Sequence, residues 1–245
     1  MNRTLIDFVR KVLRRICTPS YFKSFSQCGE DMILRCFLPP PPPETPNQLS
    51  WIDIGAYHPK RLNNTAFFYS QGRRGINIEA NPLLIRRFYK DRKRDINLNI
   101  AIAEKSGTMD FFIMDIATLS TLSAEEAHRY EKLGHKIVKI VPIQAMTVTE
   151  VIDNFSGGVF PDLLSLDAEG YDLNILKTIN YEKNSPKVIC VENVPYQTKL
   201  NNYFDRMQTN DLSNFLIHKN YSILACTLIN TIFIKNNFIE KGTLQ

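Results

Sequence analysis

Apolar and polar positions along the chain follow two periods. Short apolar runs rich in β-branched residues, at 50–56, 75–79, 96–103, 109–114, 137–143, 163–166, 188–191, 223–226 and 231–234, read as strands. Between them lie helical patterns: the Arg/Lys-rich stretch after Pro82, residues 124–133, and residues 147–155, where Thr147 stands as N-cap with Glu150 at the capping-box position. Buried runs alternating with helices predict an α/β fold around a mostly parallel sheet. Only a few residues around Asn230 join the last two strands, which demands an antiparallel hairpin at the end.

Two stretches stand apart from this alternation. Leu5, Phe8, Val9, Val12, Leu13 and Ile16 fall at i, i+3, i+4 spacing, with Arg10, Lys11, Arg14 and Arg15 opposite, an amphipathic helix that Pro19 ends. Five prolines, Pro39 to Pro43, read as an extended connector. The expected organisation is an N-terminal helical extension at 1–38, a connector at 39–48 and a body at 49–245.

Charge sharpens the picture. The 245 residues carry 30 Lys+Arg and 25 Asp+Glu. Residues 1–23 hold six bases and one acid, and residues 24–245 hold 24 of each. A neutral body argues against nucleic acid as partner. The N-terminal helix either packs on the body with a solvated basic face or lies through residues 4–16 on an anionic membrane surface, and a transit peptide is the third reading. No apolar run reaches the ~18 residues of a membrane span. Five scattered cysteines without a CxxC pair support neither a disulfide framework nor a structural zinc site, and reduced thiols in a cytoplasmic protein are the expectation.

In open α/β sheets, ligands bind beyond the carboxyl ends of the strands. Asp53-Ile54-Gly55-Ala56 ends the first strand with an acid and a glycine that admits a ligand close to the backbone. GxGxxG and the P-loop are absent, which removes support for NAD(P) or nucleotide triphosphate. Glu79 ends the second strand, where an acid can take both hydroxyls of a ribose. The pair points to a nucleoside cofactor with no pyrophosphate requirement.

Four separated motifs sharpen this: Ser26-Gln27-Cys28-Gly29-Glu30-Asp31; Asp53 to Pro59 with Asn64-Thr65; Gly75 to Pro82; and Leu164 to Tyr171. In order and spacing they resemble the FkbM family of S-adenosylmethionine (AdoMet)-dependent methyltransferases. The resemblance implies a class I, Rossmann-like methyltransferase fold, a seven-stranded mostly parallel sheet with its last strand antiparallel, and O-methylation as the usual reaction. It further implies Gly55 and Ala56 under the methionine part of AdoMet, Asp53 at its amino end and Glu79 at the ribose. Asn81 and the stretch containing Asn99 and Ala101 would lie against the adenosine. Gln27, Glu30 and Asp31 would close the pocket, with Asn64 and Thr65 beside it.

Methyl transfer requires an oxygen nucleophile held in line and, for a hydroxyl of high pKa, removal of its proton. Asp167, Glu169 and His58 are the candidate bases, and Asp167 is also a candidate cofactor contact. Asp167 together with Glu192 and Asn193, at neighbouring strand ends, could place three oxygen ligands around a Mg²⁺-class ion. That arrangement is similar to the metal-dependent catechol-type methyltransferases, with Glu in place of Asp at 192. The polar stretch Ser120 to Ser123 reads as a flexible lid over the acceptor. The expected acceptor is a hydroxyl of a sugar, glycan or small secondary metabolite. A non-catalytic scaffold at a membrane's inner face and an N-methyltransferase are the alternatives.

Overall fold

The computed structural model describes residues 22–38, 48–194 and 202–239. The expected amphipathic helix at 4–16 and the proline run at 39–43 fall outside these residues.

Strands β1 (Leu49–Ile54), β2 (Arg74–Ile78), β3 (Ile96–Leu98), β7 (Leu163–Leu166), β8 (Val188–Glu192), β9 (Tyr221–Cys226) and β10 (Asn230–Lys235) form one seven-stranded sheet in the order β3-β2-β1-β7-β8-β10-β9. All neighbours are parallel except β10, which runs antiparallel to both β8 and β9. The fold is therefore the seven-stranded class I methyltransferase-like sheet with its last strand reversed. Asp53 pairs in register with Asn77 on one side and Ser165 on the other. The strand order reverses between β1 and β7, so the loops after these strands diverge and leave a crevice at their carboxyl ends.

The central strands are apolar on both faces because both faces are covered. On one, Ile52, Ile54, Ile78, Leu164 and Ile189 pack with α5 (Val148–Phe155), α6 (Asp172–Lys177) and α7 (Asp211–His218). On the other, Trp51, Leu163 and Cys190 pack with α2 (Ala66–Ser70) and with Leu34 and Leu38, at the end of α1 (Glu30–Leu34) and just beyond it. Thr147 caps α5 with the full capping box: its hydroxyl accepts from Glu150 N (3.1 Å), and its own N–H donates to the Glu150 carboxylate (2.9 Å).

Three apolar runs depart from the expected single sheet. Residues 96–103 are two strands, not one. β3 belongs to the main sheet, and β4 (Ala101–Ile102) joins a second, three-stranded sheet with β5 (Gly107–Met114) and β6 (Ile137–Met146), in the order β4-β6-β5. Asn99 makes the break: its side-chain amide donates to the carbonyls of Glu79 (2.8 Å) and Ala80 (3.0 Å), turning the chain across the end of β2. The second sheet and α4 (Ala124–Lys132), which lies in the chain between β5 and β6 and contacts β5, stand over the carboxyl edge of the main sheet.

Candidate active site

The end of β1 is built around one close approach. Gly55 has φ 75°, and a Cβ there would stand 1.8 Å from the carbonyl oxygen of Asp167. Asp167 N donates to Ile54 O (3.0 Å), while the N–H groups of Gly55 and Ala56 both donate to Ile78 O (3.0 and 3.1 Å). Glycine is thus required because protein backbone, rather than only a ligand, crosses here. The turn fastens three strand ends together.

Beyond that turn opens a cavity of about 560 Å³, with Gly55, Tyr57, Glu79, Asp167, Glu169 and Glu192 among its walls. A small apolar annex of about 60 Å³ adjoins it, sharing Gly55, Glu79, Phe111 and Ser120 and lined further by Ile100, Ala101 and Leu122. Glu79 stands between the two. Its carboxylate accepts from Tyr57 N (2.8 Å) and Asn81 N (2.7 Å), which fixes its orientation, and burial pushes its pKa up to about 7 against those hydrogen bonds. Two backbone donors leave a carboxylate with further lone pairs for a diol.

Three more carboxyls converge on the other side. Asp167, Glu169 and Glu192 each offer an oxygen, and these atoms lie within 4.8 Å of one another. Asp167 is exposed to the cavity and Glu169 and Glu192 are half-buried. Desolvation by the surrounding protein, and then the neighbouring Glu192, raise Asp167 well above the ordinary carboxylate range, while desolvation and the other acids push Glu169 and Glu192 up to about 8 each. Like charges this close cannot all ionise at neutral pH, so protons are retained within the group. Glu169 is held in a left-handed conformation (φ 47°) by two residues of the region before and within α4. Thr121 donates its hydroxyl to Glu169 O (2.9 Å), and Tyr130 donates to the Glu169 carboxylate (2.7 Å). Asp172, pushed up to about 6 by burial, accepts from Ala168 N (2.8 Å) and steadies the same loop.

Several residues expected at the site have other duties. Asn193 points away: its amide donates to Met207 O, Ser213 Oγ and Thr231 Oγ1, and its carbonyl accepts from Asn210. Glu169, not Asn193, joins Asp167 and Glu192 in the carboxyl group. His58 does not line the cavity; its Nδ1 accepts from Lys60 N (3.1 Å), and burial, Arg87 and Arg61 lower its pKa. Asn81 is the N-cap of α3 (Pro82–Asp91), accepting from Leu83 N (3.0 Å). Asn99 binds the backbone after β2, as described above, and does not line the annex.

Asp53 is buried beneath the turn. It accepts from Asn63 (3.1 Å) and Thr65 (2.9 Å), and burial raises its pKa against the nearby Arg92 guanidinium. Asn64 bonds Ser165 (3.3 Å) and Cys190 (3.6 Å) under the strand ends. Of the N-terminal motif only Gln27 reaches the cavity. Glu30 accepts from Thr227 (2.7 Å), Asn230 (3.0 Å) and Cys28 N (2.8 Å), bonds that outweigh its burial and lower its pKa. Asp31 accepts from Ser24, Ser26 and Phe25 N. Nor is the stretch at 120–123 a free lid: Thr121 is 1% exposed and pairs with Phe112 through two backbone bonds.

The structure brings in residues the sequence reading passed over. Tyr57 lies inside the Asp53 to Pro59 motif and Thr121 inside the 120–123 stretch without a role of its own there, Tyr130 carries no motif, and Asp172, an acid two residues after Gly170 at a helix start, could have been noticed.

The methyltransferase FkbM domain model matches residues 53–223, more than two thirds of the chain and all of the cavity's acids. The chain belongs to the FkbM methyltransferase family. Family membership implies AdoMet as the cofactor, and the predicted fold and resemblance hold. Among curated proteins no sequence matches. Of solved structures, methyltransferase FkbM from Methylobacillus flagellatus KT is 14% identical over 91% of this chain and 52% of its own, with a TM-score of 0.48. A TehB-like SAM-dependent methyltransferase from Corynebacterium glutamicum is 10% identical over 96% and 100%, with a TM-score of 0.39. This FkbM family chain thus spans about half the length of the M. flagellatus protein.

Proposed function

We propose that the chain is an AdoMet-dependent O-methyltransferase acting on a hydroxyl of a sugar, glycan or small secondary metabolite in the cytoplasm. The observation that carries this reading is an acid-walled cavity beside a small apolar annex, the two sharing Gly55, Glu79, Phe111 and Ser120. Ile100, Ala101 and Leu122 offer the apolar slot an adenine needs, and Glu79 offers lone pairs beside it for a ribose. Gly55 offers bare backbone between that slot and the carboxyls. When bound, AdoMet supplies an electrophilic methyl on a sulfonium.

The remaining chemistry belongs to the chain. Asp167 and Glu192 sit where an acceptor hydroxyl can be held, and their raised basicity suits them to take its proton near neutral pH. Glu169, fixed by Tyr130 and Thr121, shapes the pocket around them. A Mg²⁺-class ion is a second reading, favoured by three carboxylate oxygens within 4.8 Å: Asp167, Glu169 and Glu192 would hold it, and the acceptor hydroxyl would lose its proton more readily beside the cation. An amine acceptor needs neither a strong base nor a metal, so the acidic group speaks for oxygen.

Calorimetry with AdoMet on the unmutated protein and on Glu79→Ala tests the proposal. Saturable binding that weakens at least tenfold in the variant supports it; no binding by the unmutated chain refutes it and favours a scaffold.

A further inference from the structure

Large apolar side chains stand in solvent around the cavity's mouth. Leu62 (47% exposed) and Leu133 (65%) are wall residues, Leu83 (62%) adjoins the wall residue Leu84, and Ile116 (47%) adjoins Ala117. Leu62 is not left outside by a slack loop. Its φ of 50° is a left-handed conformation unfavourable for leucine, and its neighbour Asn63 pins it. Asn63 N donates to Phe25 O (3.0 Å), and the Asn63 side chain donates to Asp53 and to Ala56 O (both 3.1 Å).

Cations flank these leucines. Leu83, Arg86, Arg87 and Lys90 share the exposed face of α3 at helical spacing. An ion pair from Lys60 to Asp91 (3.1 Å) fastens the loop carrying Arg61 and Leu62 against the end of that helix. Arg87, Arg61 and Lys60 are close enough together to disfavour a further positive charge on His58. Lys60, Arg61, Arg86, Arg87 and Lys90 thus stand on the Leu62 and Leu83 side of the mouth, where Asp91 pairs with Lys60; the Ile116 and Leu133 side also carries the exposed acids Asp115 and Glu131. Outward leucines set among arginines and lysines match the boundary between headgroups and acyl chains of an anionic leaflet. Residues 1–23, net +5, have the same sign as these cations.

We propose that this rim seats the cavity's mouth on an anionic phospholipid surface. An acceptor carrying an apolar anchor would then enter the cavity from the leaflet, a consequence that alone rests on the methyltransferase reading.

The test is co-sedimentation of the full chain with vesicles of phosphatidylcholine alone and of phosphatidylcholine mixed with phosphatidylglycerol. The unmutated protein should pellet with the mixed vesicles and not with the neutral ones, and high salt should release it. The variant L83S/R86E/R87E should bind them at least about tenfold more weakly, with its AdoMet affinity by calorimetry unchanged. R86E/R87E, which leaves Leu83 in place, should fall in between and guards against misfolding of the triple variant. Failure of the unmutated chain to pellet overturns the proposal. So does unweakened pelleting of both variants with loss in R10E/R14E, which would assign the contact to the N-terminal segment alone. Vesicle binding and AdoMet binding are read separately, so either can fail without the other.

Discussion

The backbone carbonyl of Asp167 occupies the space a Cβ on Gly55 would need, 1.8 Å away. The Gly55 turn and the acidic end of the cavity are thus joined by van der Waals contact between two loops. Gly55→Ala has to push the Asp167 loop outward while placing alanine at φ 75°. We expect a stability loss of about 3 kcal/mol or more by urea unfolding, together with loss of AdoMet binding. Unchanged affinity would show that the turn tolerates the shift.

Asp167→Asn and Glu192→Gln should each lower kcat by about 10²- to 10⁴-fold with little change in AdoMet affinity. Under direct proton removal, EDTA leaves the unmutated rate alone. Under the metal reading EDTA abolishes it, Mg²⁺ restores it, and Glu169→Gln weakens Mg²⁺ binding.

Asn193→Ala should do the opposite of what its place beside Glu192 in the sequence suggests. Its amide is tied to Met207 O, Ser213, Thr231 and Asn210, so the variant should lose about 1–3 kcal/mol of stability. Any Mg²⁺ affinity should be kept. A variant of normal stability that no longer binds Mg²⁺ would return Asn193 to the site.

The raised carboxyls predict an unusual pH dependence. Glu79 rises from 4.5 to about 7 and Asp172 from 3.8 to about 6, with Glu169 and Glu192 at about 8. Between the unfolded and folded values the native chain holds protons that the unfolded chain has released, so unfolding free energy falls as pH rises. Glu79 alone accounts for up to about 3 kcal/mol over that window. Stability should therefore decline from about pH 5 to pH 8, measured by denaturant midpoint, and AdoMet should offset part of the decline. A flat profile would contradict the burial of these groups.

Arg92 offers a fifth check. Wholly buried, it pairs with Asp95 (2.7 Å) and donates to Pro59 O (3.1 Å) and Thr65 (3.0 Å), so it ties the loop after β1 to β2 and β3. Arg92→Met leaves Asp95 and Asp53 without their cation and should cost about 3–5 kcal/mol. A loss under 1 kcal/mol would mean the network rearranges.

Most of the strands and the helices at 82–91, 124–132 and 148–155 were legible in the sequence, because apolar period and capping act between residues close along the chain. So were Gly55, Glu79 and Asp167, whose places at strand ends follow from the strands themselves. What the sequence could not give is the partner of each polar side chain. Glu30 was expected beside the cofactor and instead clasps Thr227 and Asn230, about 200 residues away. Asn99 ends β3 and sends the chain into a second sheet through bonds to Glu79 O and Ala80 O, not through any property of its own run. Glu169 rather than Asn193 faces Asp167, because a side chain's direction at a strand end depends on which loops pack over it. The sequence by itself determined which residues could be buried and where strands would stop. Tertiary structure alone decided which acids share a cavity, because hydrogen-bond partners and charge neighbours are set by packing between segments that the local pattern does not relate.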